Sequence, residues 1–78
     1  MSKNHIDECV RSSLESYFTD LGGTEPGGMY DMMVRVVEKP LLEVVMRHAE
    51  QNQSRAAAWL GLNRNTLRKQ LVEHKLIQ

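Results

Sequence analysis

The sequence predicts an all-α fold of four helices, the last two forming a C-terminal helix-turn-helix, in a chain that completes its core by pairing with a second copy. Three observations predict it. Apolar residues recur at helical steps near the start, and a long central run is apolar around most of its circumference. The C-terminal third then places polar caps, alanines and a glycine where two short helices and a tight turn need them. With 78 residues the chain makes one domain at most, and a monomer this short buries proportionately little surface. Cys9 is the only cysteine, so disulfides cannot supply the missing stability. Oligomerisation is the remaining common remedy.

Ile6, Val10, Leu14, Tyr17, Phe18 and Leu21 follow three- and four-residue steps, which places them on one stripe of a first helix over about 6–21. Gly22, Gly23, Pro26, Gly27 and Gly28 crowd into seven positions and make a loop. From Met29 to about Glu50 the apolar residues leave only a drifting polar stripe of Asp31, Arg35, Glu38, Lys39, Glu43, Arg47 and Glu50. Such a helix requires burial on several sides, more than one short neighbour and a small C-terminal unit can provide. A second copy packed against it is the economical solution. Pro40 lies mid-run, where it removes one backbone hydrogen bond and crowds the Val36 carbonyl. Because the apolar pattern continues through Leu41 and Leu42, a kink is expected rather than a break. Residues 1–50 are thus read as dimerisation helices and 51–78 as a helix-turn-helix unit, together one domain.

In the C-terminal unit Asn52 or Ser54 can cap a first short helix, Ala56, Ala57 and Ala58 favour helix and close approach, and Gly61 suits a left-handed helix end. Asn63 is placed to cap the second helix, Arg64 to His74. There Leu67 and Leu71 face inward and Arg64, Asn65, Thr66, Arg68 and Lys69 face out. An inner apolar anchor with arginine, lysine and asparagine outside near the helix start is what a major-groove reader needs. The competing reading is an ordinary helical hairpin with an incidentally basic face.

The distribution of charge, taken with the caps and the spacing, favours the first, although charge alone fits a solvated helix face as well. The formal net charge is zero, yet residues 1–50 hold nine acids against five bases. Residues 51–78 hold Arg55, Arg64, Arg68, Lys69 and Lys75 against Glu73 alone. The halves therefore carry −4 and +4, a polarity that points to an anionic partner for the second half. No charged segment followed by an apolar run opens the chain, and no stretch is apolar enough to cross a bilayer, so a soluble, cytoplasmic protein without a membrane partner is expected.

At this point the sequence resembles the Fis family, the bacterial factor for inversion stimulation, from about Asp7 to Leu71. The resemblance is strongest in Glu38-Lys39-Pro40-Leu41-Leu42-Glu43, in Asn52-Gln53-Ser54-Arg55-Ala56-Ala57 and in Asn63-Arg64-Asn65-Thr66-Leu67-Arg68-Lys69. The C-terminal portion also resembles the DNA-binding ends of NtrC-type enhancer-binding activators. Tyr17-Phe18, the glycine-rich loop, the helix containing Pro40 and an initiator methionine without an ATPase domain point to Fis. The resemblance implies a four-helix subunit, a homodimer intertwined through its first two helices, and DNA bent around the dimer at flexible AT-rich sites. It implies a nucleoid-associated transcription regulator with double-stranded DNA as its partner, RNA polymerase as a further one, and no cofactor. Position by position, Asn63, Arg64 and Lys69 would approach bases, while Asn52, Ser54, Thr66 and Arg68 would grip phosphate. Arg64 is assigned to guanine, since arginine offers two donors to that base's major-groove edge.

Several positions depart from the family pattern. Its mobile N-terminal hairpin arm, which activates DNA invertases, has no counterpart here, because only Met1 to His5 precede the expected first helix. Invertase activation is accordingly not expected. Gln70, Val72 and Glu73 stand where basic residues are common, and Glu50 stands where a base could grip flanking DNA, so affinity and salt dependence should be reduced. His5 and Cys9 lie four apart, but two ligands do not make a metal site. His48 and His74 are read as surface or interface residues, since no nucleophile in their context suggests catalysis. The methionines are read as core filler and Trp59 as packed beneath the motif. A dimeric protein–protein adaptor, using the long apolar helix, is the rival reading from another class.

Overall fold

The computed structural model describes residues 3–78, and Met1 and Ser2 of the segment expected to precede the first helix lie outside them. Four helices follow in order: α1 Lys3–Leu21, α2 Met29–His48, α3 Gln53–Leu60 and α4 Arg64–Glu73. No strand occurs among the described residues. α1 starts three residues ahead of its apolar stripe, because Lys3, Asn4 and His5 contain no helix breaker and a helix extends beyond the side chains that need burial. On its exposed face the Arg11 guanidinium donates to both Asp7 carboxylate oxygens at 3.0 and 3.1 Å, an i,i+4 pair worth a few tenths of a kcal/mol. α2 is continuous through Pro40, which excludes a break into two helices. It ends at His48 rather than Glu50, since the chain turns left-handed at Glu50 and Gln51.

The core lies at one end of the molecule. Leu42 and Met46 from the last turns of α2 and its C-cap Ala49 meet Ala56 and Ala57 of α3 and Leu67 and Leu71 of α4. Val45, Leu60, Leu76 and Ile77 pack around them. The alanines let the three helices approach closely, and the leucines fill the space between them. α1 contributes no buried residue, and the first half of α2 contributes none either.

What those two segments contribute is apolar surface. Val34, Val36, Val37, Leu41 and Val44 of α2 are exposed, Tyr30 is 82% exposed, and Ile6 and Phe18 stand out from α1. Between the helices runs an open groove of about 380 Å³ whose lining includes Val10, Tyr17, Met32, Val36 and Pro40. The subunit measures 44 × 28 × 16 Å with a radius of gyration of 15.1 Å, against about 11 to 12 Å for a compact chain of its length. Its accessible surface is 6359 Å², where a folded monomer of 9.0 kDa would expose about 4,900 Å².

Candidate nucleic-acid interface

The unit that presents the basic residues is fixed by local chemistry at each joint. Asn52 caps α3: its Oδ1 accepts from the Arg55 backbone N–H at 3.0 Å, satisfying a donor the first turn cannot pair internally. Of the two cap candidates it is Asn52, not Ser54, that makes this bond. Gly61 ends α3 at φ 72°, its N–H donating to the Ala58 carbonyl while that of Leu62 donates to Ala57. This is the paired closure that a left-handed residue permits. Two residues on, Asn63 Oδ1 accepts from the Asn65 N–H at 2.7 Å and starts α4. The turn between the helices is therefore short and held on both sides.

Leu67 and Leu71, both fully buried, define the inward side of α4. At 3.6 residues per turn the opposite side carries Asn65 and Lys69, with Val72 beside them. Arg64 and Arg68 fall on one flank and Thr66 and Glu73 on the other. The side chains of Asn52, Ser54, Asn63, Arg64, Thr66, Arg68 and Lys69 are all exposed. The first turn of α4 holds no acidic residue, so its unpaired amides and dipole add to the positive field of Arg64, Arg68 and Lys69. Asn52 and Ser54 stand at the start of α3, which packs against α4 through the shared core. Chemically, the arrangement suits a polyanion with hydrogen-bonding edges: fixed cations, amide donors and acceptors, and a helix N-terminus.

Two residues sit otherwise than expected. Trp59 is 57% exposed rather than packed beneath the motif, because the small Ala56 and Ala57 turn inward and leave no room for an indole under α3. Gln70 is half-buried, turned toward the inner side of α4, so of the residues departing from the basic pattern only Val72 and Glu73 lie on the helix's outer surface. One contact escaped the sequence altogether. His74, the C-cap of α4, places Nε2 2.7 Å from Glu38 Oε1 on α2, an ion pair when the imidazole is protonated. Nothing in the local sequence pairs residues so far apart. By contrast, counting helical steps outward from Leu67 and Leu71 would have singled out Asn65 as central to the exposed face.

Residues 33–74 match the model of a family described as bacterial regulatory protein, Fis family. The chain is 53% identical over 77 residues to a protein of Ralstonia nicotianae named as a Fis-like DNA-binding protein, covering 99% of this chain and 100% of that one. A protein so named from Neisseria meningitidis is 58% identical over 72 residues, 92% of this chain and 91% of its own length. The DNA-binding protein Fis of Escherichia coli is 36% identical over 74 residues, covering 95% of this chain and 76% of that protein.

Proposed function

The chain belongs to the Fis family of bacterial regulatory proteins, a non-enzymatic family, and on that premise we propose that it is a homodimer that binds and bends DNA with broad sequence tolerance. In the cell it is a nucleoid-associated, cytoplasmic protein that regulates transcription, with RNA polymerase as a partner at the promoters it occupies. The observation that carries the reading is the outer face of α4. Its first two turns present Arg64, Arg68 and Lys69 around Asn65 on a helix capped by Asn63 and anchored by Leu67 and Leu71. Arg64 reads guanine and Asn63 and Lys69 approach neighbouring bases, while Asn52, Ser54, Thr66 and Arg68 hold phosphates and set the register.

The dimer is supported by area. The subunit exposes about 1,500 Å² beyond a compact monomer of its mass, concentrated on the apolar sides of α1 and the first half of α2. Two such faces covering one another remove about 3,000 Å², within the range of obligate homodimers. Bending follows if the two α4 helices of the dimer stand closer than one turn of straight duplex, as in the Fis-type arrangement. The minor groove between them must then narrow, at lowest cost in flexible AT-rich sequence. The relatives' similarity runs through α1 and the start of α2, outside the matched residues 33–74, which favours this reading over an isolated NtrC-type DNA-binding end.

Titrating labelled duplex with the purified protein tests the proposal. Arg64→Ala is expected to weaken binding by roughly tenfold or more. Binding should also fall as salt rises, with a slope set by the phosphates neutralised. Duplex affinity indifferent to both the substitution and salt would overturn it and leave the adaptor reading, in which the exposed apolar face receives another protein.

A further inference from the structure

We propose that Asn65 reads an adenine through its major-groove edge, giving each subunit a further base-reading residue beside Arg64; this rests on the DNA-binding reading above. Adenine presents an acceptor, N7, beside a donor, the N6 amine, and an asparagine carboxamide matches both at once only when its oxygen and its nitrogen are both available. Three asparagines belong to the motif, and the structure separates them. Asn52 Oδ1 is held by the Arg55 N–H and Asn63 Oδ1 by the Asn65 N–H, so each carboxamide is turned toward its own helix end with its oxygen committed to the cap. Asn65 is exposed, and its side chain makes no hydrogen bond to another described residue, so it retains the complete donor and acceptor pair.

Its placement fits the task. Asn65 is the second residue of α4, and the first turns of a recognition helix are the part that reaches base edges. It lies opposite the buried Leu67 and Leu71 and one turn before Lys69, in the middle of the face with Arg64 on its flank. Its backbone is also held at the helix start, since its own N–H closes the 2.7 Å cap bond to Asn63. A backbone held this way fixes where the Asn65 side chain starts before DNA arrives, so only its own rotamers remain to be ordered in a two-bond contact.

Selection of bound duplexes from a random pool at fixed salt, with the wild-type protein and Asn65→Ala, decides the matter. Alanine leaves the backbone N–H of the cap in place and favours helix, so the variant should fold. The wild type should enrich an adenine at one fixed step from the guanine in each half-site. Asn65→Ala should lose that adenine while guanine is still selected. Replacing that adenine by 7-deazaadenine, which lacks the N7 acceptor, should weaken wild-type binding roughly tenfold and leave the variant's affinity for that site unchanged. An adenine preference that survives Asn65→Ala, or a wild-type site with no fixed adenine, overturns the inference. Failure of the underlying reading has a different signature: the wild type would retain no duplex at all.

Discussion

At the end of α2 the chain adopts φ 54° at Glu50 and 64° at Gln51, and after α4 it adopts 60° at Lys75, the left-handed conformation that Gly61 supplies after α3. The hydrogen bonds are of one kind at all three ends: Glu50 and Gln51 donate to Arg47 and Met46, Gly61 and Leu62 to Ala58 and Ala57, Lys75 and Leu76 to Val72 and Leu71. Side chains with a Cβ pay about 1 kcal/mol in that conformation. Glu50→Gly should therefore raise the urea midpoint slightly, stabilising the fold by up to about 0.5 kcal/mol once the added chain entropy of glycine is deducted. Gly61→Ala should destabilise it by about 0.5 kcal/mol, the strain being partly offset by alanine's lower chain entropy. Asn63→Ala should cost about 1 kcal/mol through the lost cap and weaken duplex binding as well. Asn52, Gly61 and Asn63 were legible because each acts on backbone within three residues of itself. Glu50, Gln51 and Lys75 were not, since a left-handed position filled by a residue other than glycine leaves no mark in composition. Trp59 was misread for a related reason: an indole signals apolar area but not which way its helix turns.

Between elements, one polar contact joins the far end of α4 to the middle of α2. Glu38 and His74 lie 36 positions apart, with side chains 23% and 11% exposed. Such a contact stabilises the docking of α4 on α2 by about 1 kcal/mol, more when the imidazole is charged. A double-mutant cycle with Glu38→Gln and His74→Gln, read by denaturant unfolding, should return a coupling of that size. Additive single-mutant losses would show that the two groups merely stand close together. The four helices themselves were readable because hydrophobic periodicity reports each helix's own buried stripe, and the start of α1 was set too late because the stripe is shorter than the helix. Pairings across the fold are invisible to periodicity, so the inward stripe of α4 was recognised while its tie to Glu38 was not.

At the scale of the molecule, the elongation and the uncovered valines of α2 make a prediction that a monomer and a dimer answer oppositely. Val36 is 58% exposed in the single subunit, where a charged replacement would change stability by less than about 0.5 kcal/mol. In the proposed dimer the same side chain is covered, so Val36→Lys should abolish the species of twice the chain mass in sedimentation and lower duplex affinity with it. A wild-type protein that sediments at the mass of one chain would sink the dimer. The uncovered apolar face of α2 was legible in the sequence because Met29 to Glu50 is apolar on too many sides for its neighbours to cover. The shape was not, since nothing in the run says that Leu42, Val45, Met46 and Ala49 alone of it reach the core with α3 and α4. That sharing bears on transplantation. A fragment cut at residue 51 would carry α3 and α4 away from the side chains at the end of α2 that floor them, and the pair would have nothing to fold upon. The smallest piece that could be grafted onto another scaffold begins near Pro40, whose ring already suits the opening turn of a helix, and takes the last two turns of α2 along as its third wall.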